Sequence, residues 1–468
     1  MNKIKQFIVL VAHGKYDTST ADGRSMERAR GIALTALTAM LAKVFAMAVP
    51  LITVRITLSY MGEEIYGLWT TVTSFFTMFS FADLGLGSGL QTELSKATAT
   101  DDKQYCRKLV SSCYTMLAGV ALALMVIFVC VYPFVNWADL VNASTERTIA
   151  LAGGVVMAIV TSRVVNVPLA LIQRTQFAMQ EGYRTNLWNC TGNILSLLFV
   201  LVVYYLDLGV LTMIWASSLI TVIVAAVNMV VYFKWQRPEL KPRFSEFDKK
   251  ISKRLLHTGV LFFILSIFTS LSLSIDNFIV AHACSLSEVT PYSVMYKIVS
   301  MIGVVSSMLS SPMWSANGEA MQRGEYQWVR KTTTKMALIS LLFALICSIG
   351  ILVLIQPALW LLTDGAVQAN YSILFGMCLL QIAISVTNPY FMILNGAGII
   401  KFQIFNYIIY AAISLPFKYV LGIKFGAEAI TWCGAITYII LLTVPTFYRG
   451  MSYLHQKRGC LNAITKKY

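Results

Sequence analysis

Charged residues are scarce in this chain. Only 13% of its 468 residues are Asp, Glu, Lys or Arg, whereas 57% are hydrophobic and the mean hydropathy is +0.68. A soluble protein of this length needs far more charge to cover its surface. The composition therefore excludes a set of soluble domains and predicts a protein whose main solvent is the lipid bilayer.

Recognisable catalytic and metal-binding motifs are also missing. The chain has no GxxxxGKS/T phosphate loop, no GxSxG nucleophile elbow and no HExxH zinc motif, and its nine cysteines form no CxxC pair. The segment from Gly85 to Gly89 is rich in glycine, but it lacks GxGxxG spacing and follows an apolar helix rather than a strand. These absences predict no enzyme activity, no resident metal or cofactor and no disulfide framework.

Long apolar runs fill most of the chain. A bilayer core about 30 Å thick requires roughly 20 apolar residues per helix, and the sequence contains twelve such runs, six on each side of a polar, basic stretch. The predicted spans are residues 33–58, 65–87, 109–134, 148–172, 187–206, 208–233, 256–282, 289–315, 336–362, 370–397, 402–422 and 426–448. The predicted fold class is an all-α integral membrane protein.

The basic residues predict the orientation of these spans. Most of the 37 Lys and Arg residues lie at the termini and in alternate loops, and only Arg147 and Lys424 fall in loops on the opposite side. Loops rich in Lys and Arg remain in the cytoplasm, so both termini are predicted to be cytoplasmic. Because the basic residues are dispersed in this way, the net charge of +15 does not indicate a nucleic-acid partner.

The spans divide the chain into five predicted segments. These are a cytoplasmic N-terminal extension (1–32), a six-helix bundle (33–233), a basic cytoplasmic linker (234–255), a second six-helix bundle (256–448) and a basic cytoplasmic tail (449–468). The apolar run from Phe7 to Ala12 is too short for a signal peptide. The patterned chain begins near Met26, so residues 1–25 are expected to be a disordered extension or to precede the true start of the protein.

Seven ionisable residues stand out inside the predicted spans. Such groups are costly in a bilayer, and by default they face a cavity, pair with one another or have a function. They are Lys43, Arg55, Asp83, Arg163, Asp276, Lys297 and Lys418. Five cations against two carboxylates predict a cationic interior, which suits an anionic group such as a phosphate.

These charges also have simpler interpretations. Arg163 lies near the middle of its span and is the strongest candidate, whereas Arg55 and Lys418 lie close enough to span ends for their side chains to snorkel to the interface. Asp276 and Lys297 lie at similar depths, so a structural ion pair between neighbouring spans is one alternative. In the other, Asp276 exchanges its partner for a proton or a sodium ion during transport.

Several short motifs resemble those of a known family. They are EEIYGLW at 63–69, FADLGLGSGLQ at 81–91, IDN at 275–277, YS at 292–293 with Lys297 after it, and LNGAG at 394–398. Together, in this order and spacing, they resemble the Wzx-type O-antigen and polysaccharide-unit flippases, in the superfamily that includes the multidrug and toxin extruders. The resemblance covers the chain from about residue 26 to its end.

The resemblance implies two six-helix bundles around a central cavity that opens alternately to the two sides of the bacterial inner membrane. The implied substrate is an undecaprenyl-pyrophosphate-linked oligosaccharide unit of O-antigen or a related surface polysaccharide, moved with possible H⁺ or Na⁺ coupling. Membrane lipids and other polysaccharide-assembly proteins are the implied partners. The implied substrate-binding residues are Arg163, Lys297, Lys418, Arg55 and Lys43, and the implied gating or ion-coupling residues are Asp83 and Asp276.

Two other functions remain open at this point. The same fold serves antiporters of cationic drugs, but their cavity should be acidic or aromatic, which the five-to-two excess of cations opposes. A membrane glycan polymerase or ligase needs room for chemistry on the outer face. The longest predicted outer loop, from Asn136 to Arg147, is short. The sequence therefore favours a flippase.

Overall fold

The chain is described here from a computed structural model. It describes residues 14, 16–17, 20–77, 83–100, 102–140, 143, 145–284, 286–363 and 368–465. Every regular element in these ranges is a helix. Within lipid a helix satisfies its backbone hydrogen bonds internally, so the apolar runs of this sequence adopt that structure.

The main helices are numbered here in chain order. The first eight are α1 (Ala21–Met61), α2 (Glu63–Thr77), α3 (Leu86–Ala97), α4 (Lys103–Val131), α5 (Glu146–Leu169), α6 (Leu171–Ala178), α7 (Gly182–Leu206) and α8 (Val210–Val231). The others are α9 (Lys249–Ser274), α10 (Asp276–Ala283), α11 (Leu286–Ser310), α12 (Met313–Gln322), α13 (Tyr326–Thr363), α14 (Tyr371–Ala397), α15 (Ile400–Phe425), α16 (Ala427–Tyr438) and α17 (Val444–Thr465).

The predicted fold class is confirmed. Within the described residues, eleven helices are long and apolar enough to cross a bilayer. The remaining predicted span, 65–87, contains residues 78–82, which lie outside the described residues. Several spans continue beyond the predicted ends, and α17 carries the last one through the predicted tail to Thr465.

The chain forms two compact units. The first unit comprises residues 33–260. The second unit comprises residues 261–468 together with residues 13–32. The core of the first unit has two apolar clusters, one around α3, α4 and α6 and one around α2, α5 and α8. The core of the second unit is built mainly from α10, α11, α13 and α14.

The polar stretch at 234–255 is folded onto the first unit. The backbone N–H groups of Arg243 and Asp248 donate hydrogen bonds to the Ser111 and Ser112 hydroxyls of α4, at 3.1 and 3.0 Å. These contacts fix a segment that is otherwise irregular, since they satisfy backbone donors that no helix satisfies. The linker is therefore an ordered surface of the first unit.

The start of α1 corrects the expectation for the N-terminal extension. The helix begins at Ala21, so residues 21–25 are helical rather than disordered. Arg28, which is only 2% exposed, forms an ion pair with Glu325 and lies 4.5 Å from the centre of the Trp328 ring. This part of the predicted extension is packed against the second unit, with which it groups.

The N-terminus of α9 provides a test of how the linker is held. The Asp248 carboxylate accepts hydrogen bonds from the backbone N–H groups of Ile251 (3.1 Å) and Lys250 (2.8 Å), and these bonds lower the pKa of Asp248 below its ordinary value. A lowered folded-state pKa means that the stabilisation is present above the ordinary Asp pKa and is lost as pH falls through the folded value.

We expect Asp248→Ala to speed hydrogen exchange of the first turn of α9 at neutral pH, because the cap is lost. The difference from wild type, corrected for intrinsic exchange rates, should vanish as pH falls through the lowered pKa. Asp102→Ala removes the cap of a different helix, α4, where Asp102 accepts from the Tyr105 N–H. It is the control and should leave hydrogen exchange of α9 unchanged. An unchanged exchange rate in Asp248→Ala at neutral pH would contradict the assignment.

Candidate functional site

A break in the first span of the second unit places a carboxylate inside the membrane. Helix α9 ends at Ser274 and α10 begins at Asp276. Asp276 therefore occupies the first turn of α10, where the positive end of the helix dipole favours a negative charge. The side chain is buried, at 6% exposure, so this local field is not sufficient and a counter-charge is needed.

Lys418 supplies that counter-charge. Its Nζ lies 2.6 Å from Oδ1 of Asp276, and the lysine itself is 1% exposed. The Tyr292 hydroxyl, from α11, donates a longer hydrogen bond of 3.4 Å to the other carboxylate oxygen. The carboxylate thus joins α10 to both α15 and α11 through polar contacts, in surroundings where each contact is strong because little water competes.

Small residues make room for the lysine. A Cβ added at Gly434 of α16 would lie 2.8 Å from the Lys418 Cε, so a larger residue there would force the lysine side chain to move. On α15 itself, a Cβ at Gly422 would lie 3.0 Å from the Cβ of Ala283 in α10. Close approach of these helices brings Lys418 within reach of the carboxylate.

Tyrosines surround the ion pair. Tyr296 donates to the Leu273 carbonyl at 3.3 Å, and so satisfies a backbone acceptor near the end of α9. Tyr410 donates to the Gly434 carbonyl at 3.4 Å and packs edge-to-face on Tyr438. The result is a buried, polar cluster with one carboxylate and one ammonium, an arrangement that can hold or exchange a single charge. Among the described residues, no group of three His, Cys, Asp or Glu side chains is placed to bind a metal.

The pairing differs from the sequence-based interpretation. Depth alone suggested Lys297 as the partner of Asp276, but the structure pairs Asp276 with Lys418 and leaves Lys297 exposed on α11. The expectation that Lys418 snorkels to the interface is wrong, because its ammonium is buried against the carboxylate. Lys418 is also not exposed to bind a substrate in this structure.

Arg163 lies on α5 with an exposed side chain. Its neighbours one turn earlier, Ile159 and Val160, are buried in the core of the first unit. One turn further along, the Oδ1 atom of Asn166 is buried and has no hydrogen-bond partner in the described part of the chain. Arg163 and Asn166 therefore offer a charged donor and an unsatisfied amide on one helix, both within an apolar span.

Two of the predicted substrate-binding cations, Lys43 and Arg55, belong to α1. Lys43 is half-buried, and among the described residues it forms no ion pair. The side chain of Arg55 lies outside the described residues. The predicted role of Arg55 in substrate binding therefore stays a prediction.

Asp83 lies at the turn that precedes α3. Its carboxylate accepts a hydrogen bond from the Gly85 N–H at 3.0 Å. A Cβ added at Gly87 would lie 2.9 Å from the Arg174 Cγ and 3.1 Å from the other carboxylate oxygen. The missing side chain at Gly87 thus lets Asp83 and Arg174 approach the same point, and Arg174 also donates to Gln91 at 3.3 Å.

Sequence reasoning missed three of these participants. Arg174 falls just beyond the predicted span 148–172 and was therefore counted among the loop cations. Arg28 was assigned to the extension, and no sequence signal marks it as buried. Tyr292 belongs to the YS motif at 292–293, but no sequence signal places it beside Asp276, which lies 16 residues earlier.

Two family models match the chain. The model described as "Polysaccharide biosynthesis protein" matches residues 34–316, and the model described as "MatE" matches residues 262–420. The first match covers more than half of the sequence. The second lies within residues that form the second unit.

Curated relatives are similar at low identity. A protein of Salmonella typhi named "Putative O-antigen transporter" is 23% identical over 301 residues, which are 63% of this chain and 66% of that protein. A protein of Yersinia pseudotuberculosis named "Putative O-antigen export protein" is 22% identical over 392 residues, 82% of this chain and 85% of the relative. The chain is thus a relative of bacterial export proteins.

Solved structures with the same fold are transporters. A Vibrio cholerae MATE transporter in its bent form aligns with a TM-score of 0.77 and 13% identity, over 93% of this chain and 98% of the other. A transporter of the MOP superfamily from Pyrococcus furiosus aligns with a TM-score of 0.74 and 14% identity, over 92% and 97%. At these identities the likeness establishes the fold.

The buried ion pair predicts a specific pattern of stability. Asp276→Asn or Lys418→Met should each destabilise the protein by about 3–5 kcal/mol, because each leaves one buried charge without its partner. The double variant should recover most of that loss, since neither charge remains. Thermal unfolding of the purified protein in detergent measures all four forms. Additive losses in the double variant would show that the two charges do not depend on each other.

Proposed function

Because the chain belongs to the polysaccharide biosynthesis protein family, and its curated relatives are named for O-antigen transport and export, we propose that it is a flippase. Its proposed substrate is an undecaprenyl-pyrophosphate-linked oligosaccharide unit of O-antigen or a related polysaccharide, which it moves across the bacterial inner membrane by alternating access. The family match over residues 34–316 is the observation that carries the proposal. The unassisted transfer of a pyrophosphate through hydrocarbon is prohibitive, which is the physical reason such a protein is required.

Exposed cations inside apolar spans support an anionic substrate. Arg163 on α5 and Lys297 on α11 both expose their side chains. An unpaired charge at this depth is retained at a cost, and an arginine guanidinium is suited to bind a phosphate with two hydrogen bonds. The fold is shared with multidrug transporters, but exposed cations would repel cationic drugs, so the drug antiporter is the second candidate.

We propose that the Asp276–Lys418 ion pair couples transport to an ion gradient. Among the described residues of the second unit, two buried acids have a buried basic partner: Asp276, paired with Lys418, and Glu319, which lies 3.8 Å from Arg28. A proton or a sodium ion that reaches Asp276 would neutralise it and release Lys418, which changes the contact between α10 and α15. Relaxation of that contact is a chemical switch of the kind that alternating access requires.

The role of Arg163 is tested by complementation. In a host that lacks the gene, wild type should restore surface polysaccharide, whereas Arg163→Ala should restore less than about a tenth of it, because a phosphate contact is lost. Arg163→Lys should retain part of the activity, since it keeps the charge. Arg147→Ala, at an exposed position near the start of the same helix, is the control and should behave as wild type.

Two readouts distinguish the candidate functions. Gel analysis of surface polysaccharide and extraction of lipid-linked intermediates should show loss of the first and accumulation of the second in the deletion strain. If surface polysaccharide stays normal in the deletion strain while drug accumulation rises, the flippase proposal is wrong and the antiporter is favoured. Active polymerisation by the purified protein would instead indicate an enzyme.

The coupling proposal uses the double variant described above. In proteoliposomes with a fluorescent polyprenyl-pyrophosphate sugar, wild type should flip faster under an imposed pH or sodium gradient. The Asp276→Asn, Lys418→Met double variant should flip without any response to either gradient, because no titratable or cation-binding carboxylate remains. A preserved gradient response in a stable double variant would show that the ion pair is structural only.

A further inference from the structure

An apolar groove runs between two helices of the second unit. It has a volume of about 320 Å³ and lies between α11 and α13. Its lining is Ile298, Met301, Ile302, Val305, Phe343, Cys347, Gly350, Ile351, Leu354 and Ile355. Both helices are long and apolar enough to cross a bilayer, so the groove lies along the apolar length of two spans.

The groove follows from the spacing of side chains and from one glycine. On α11 the lining residues recur every three or four positions, so they form a single stripe along the helix. On α13, Gly350 lies in the middle of the opposite wall, and no atom lies within 4 Å of the position that its Cβ would occupy. The absence of a side chain at this point keeps the groove open.

A positive charge lies at one end of the groove. Lys297 is exposed, immediately precedes Ile298 and lies one helical turn before Met301, on the same face of α11. No ion pair to Lys297 is formed by the described residues. An apolar groove that ends at an unpaired ammonium matches a ligand with a hydrocarbon chain and an anionic head.

We propose that this groove binds the polyprenyl tail of a phosphate-headed lipid, with its phosphate at Lys297. This inference rests on the proposed function. It assigns a binding site to the polyprenyl tail of the proposed substrate, which stays in the membrane while the sugars are moved across. The isoprenoid chain lies against the stripe on α11, beside Gly350, and the charged head stays at the end of the groove near Lys297.

Lys297 lies six residues into the apolar segment that begins at Pro291, about 9 Å along the helix from that start. Phosphates of bulk phospholipids lie in the interfacial region outside the hydrocarbon core. Competition by a phospholipid therefore distinguishes an ordinary lipid phosphate from that of the proposed substrate.

The test uses full-length protein in lipid nanodiscs and a polyprenyl phosphate that carries a diazirine on its chain. After illumination, mass spectrometry should find the label on peptides that contain residues 298–305 or 343–355. Gly350→Leu should reduce labelling about tenfold, equivalent to ~1.4 kcal/mol of binding, because its side chain fills the groove. Gly119→Leu on α4, where a Cβ also meets no atom within 4 Å, is the matched control and should label as wild type.

Lys297 is tested with the same probe and with its uncharged alcohol. Lys297→Gln should weaken labelling by the phosphate probe and leave labelling by the alcohol unchanged. Unlabelled polyprenyl phosphate should compete with the probe, whereas phosphatidylglycerol should not. Equal competition by phosphatidylglycerol, label outside the groove, or wild-type labelling of Gly350→Leu would overturn the proposal.

The inference and the proposed function fail in different ways. If wild type restores surface polysaccharide but the groove takes no label, the flippase proposal stands and the groove proposal is wrong. If the groove takes the phosphate probe specifically but the gene is dispensable for surface polysaccharide, the lipid site stands and the flippase proposal is wrong. Thermal unfolding of Gly350→Leu and Lys297→Gln confirms that each variant is folded.

Discussion

The bilayer offers no water to the groups inside it, and this constraint governs the structure. Backbone N–H and C=O groups must bond within their own segment, so the apolar runs become helices. The same constraint makes any charge in a span expensive. Asp276 and Lys418 meet it by pairing with each other at 2.6 Å, and the glycines at 422 and 434 leave room for the close contacts around that pair.

Charges that are not paired carry the functional information. Arg163 and Lys297 expose their side chains from apolar helices, whereas Arg28 and Lys418 are buried with carboxylate partners. A structural charge is neutralised by its neighbours, and an exposed one keeps its field available to a ligand. The distinction turns a general excess of basic residues into two exposed cations in apolar helices, at which we propose that a phosphate binds.

The site was predicted in its composition but not in its connections. Depth along the chain correctly identified Asp276 as a group that needs a partner, but it favoured Lys297 and assigned Lys418 to the membrane interface. Depth follows from helical rise, a one-dimensional quantity. The choice between two lysines depends on which helix lies beside α10, and close packing at Gly422 against Ala283 decides it.

The sequence by itself determined the all-helical membrane-spanning class, eleven of the twelve predicted spans and the charges inside them, because hydropathy and helical rise are local properties. Only the tertiary structure decided that Arg28 belongs to a packed core, that the linker is docked on α4, and that Gly350 leaves a groove open. Each depends on contacts between residues far apart in the chain, and no local pattern encodes which surfaces meet.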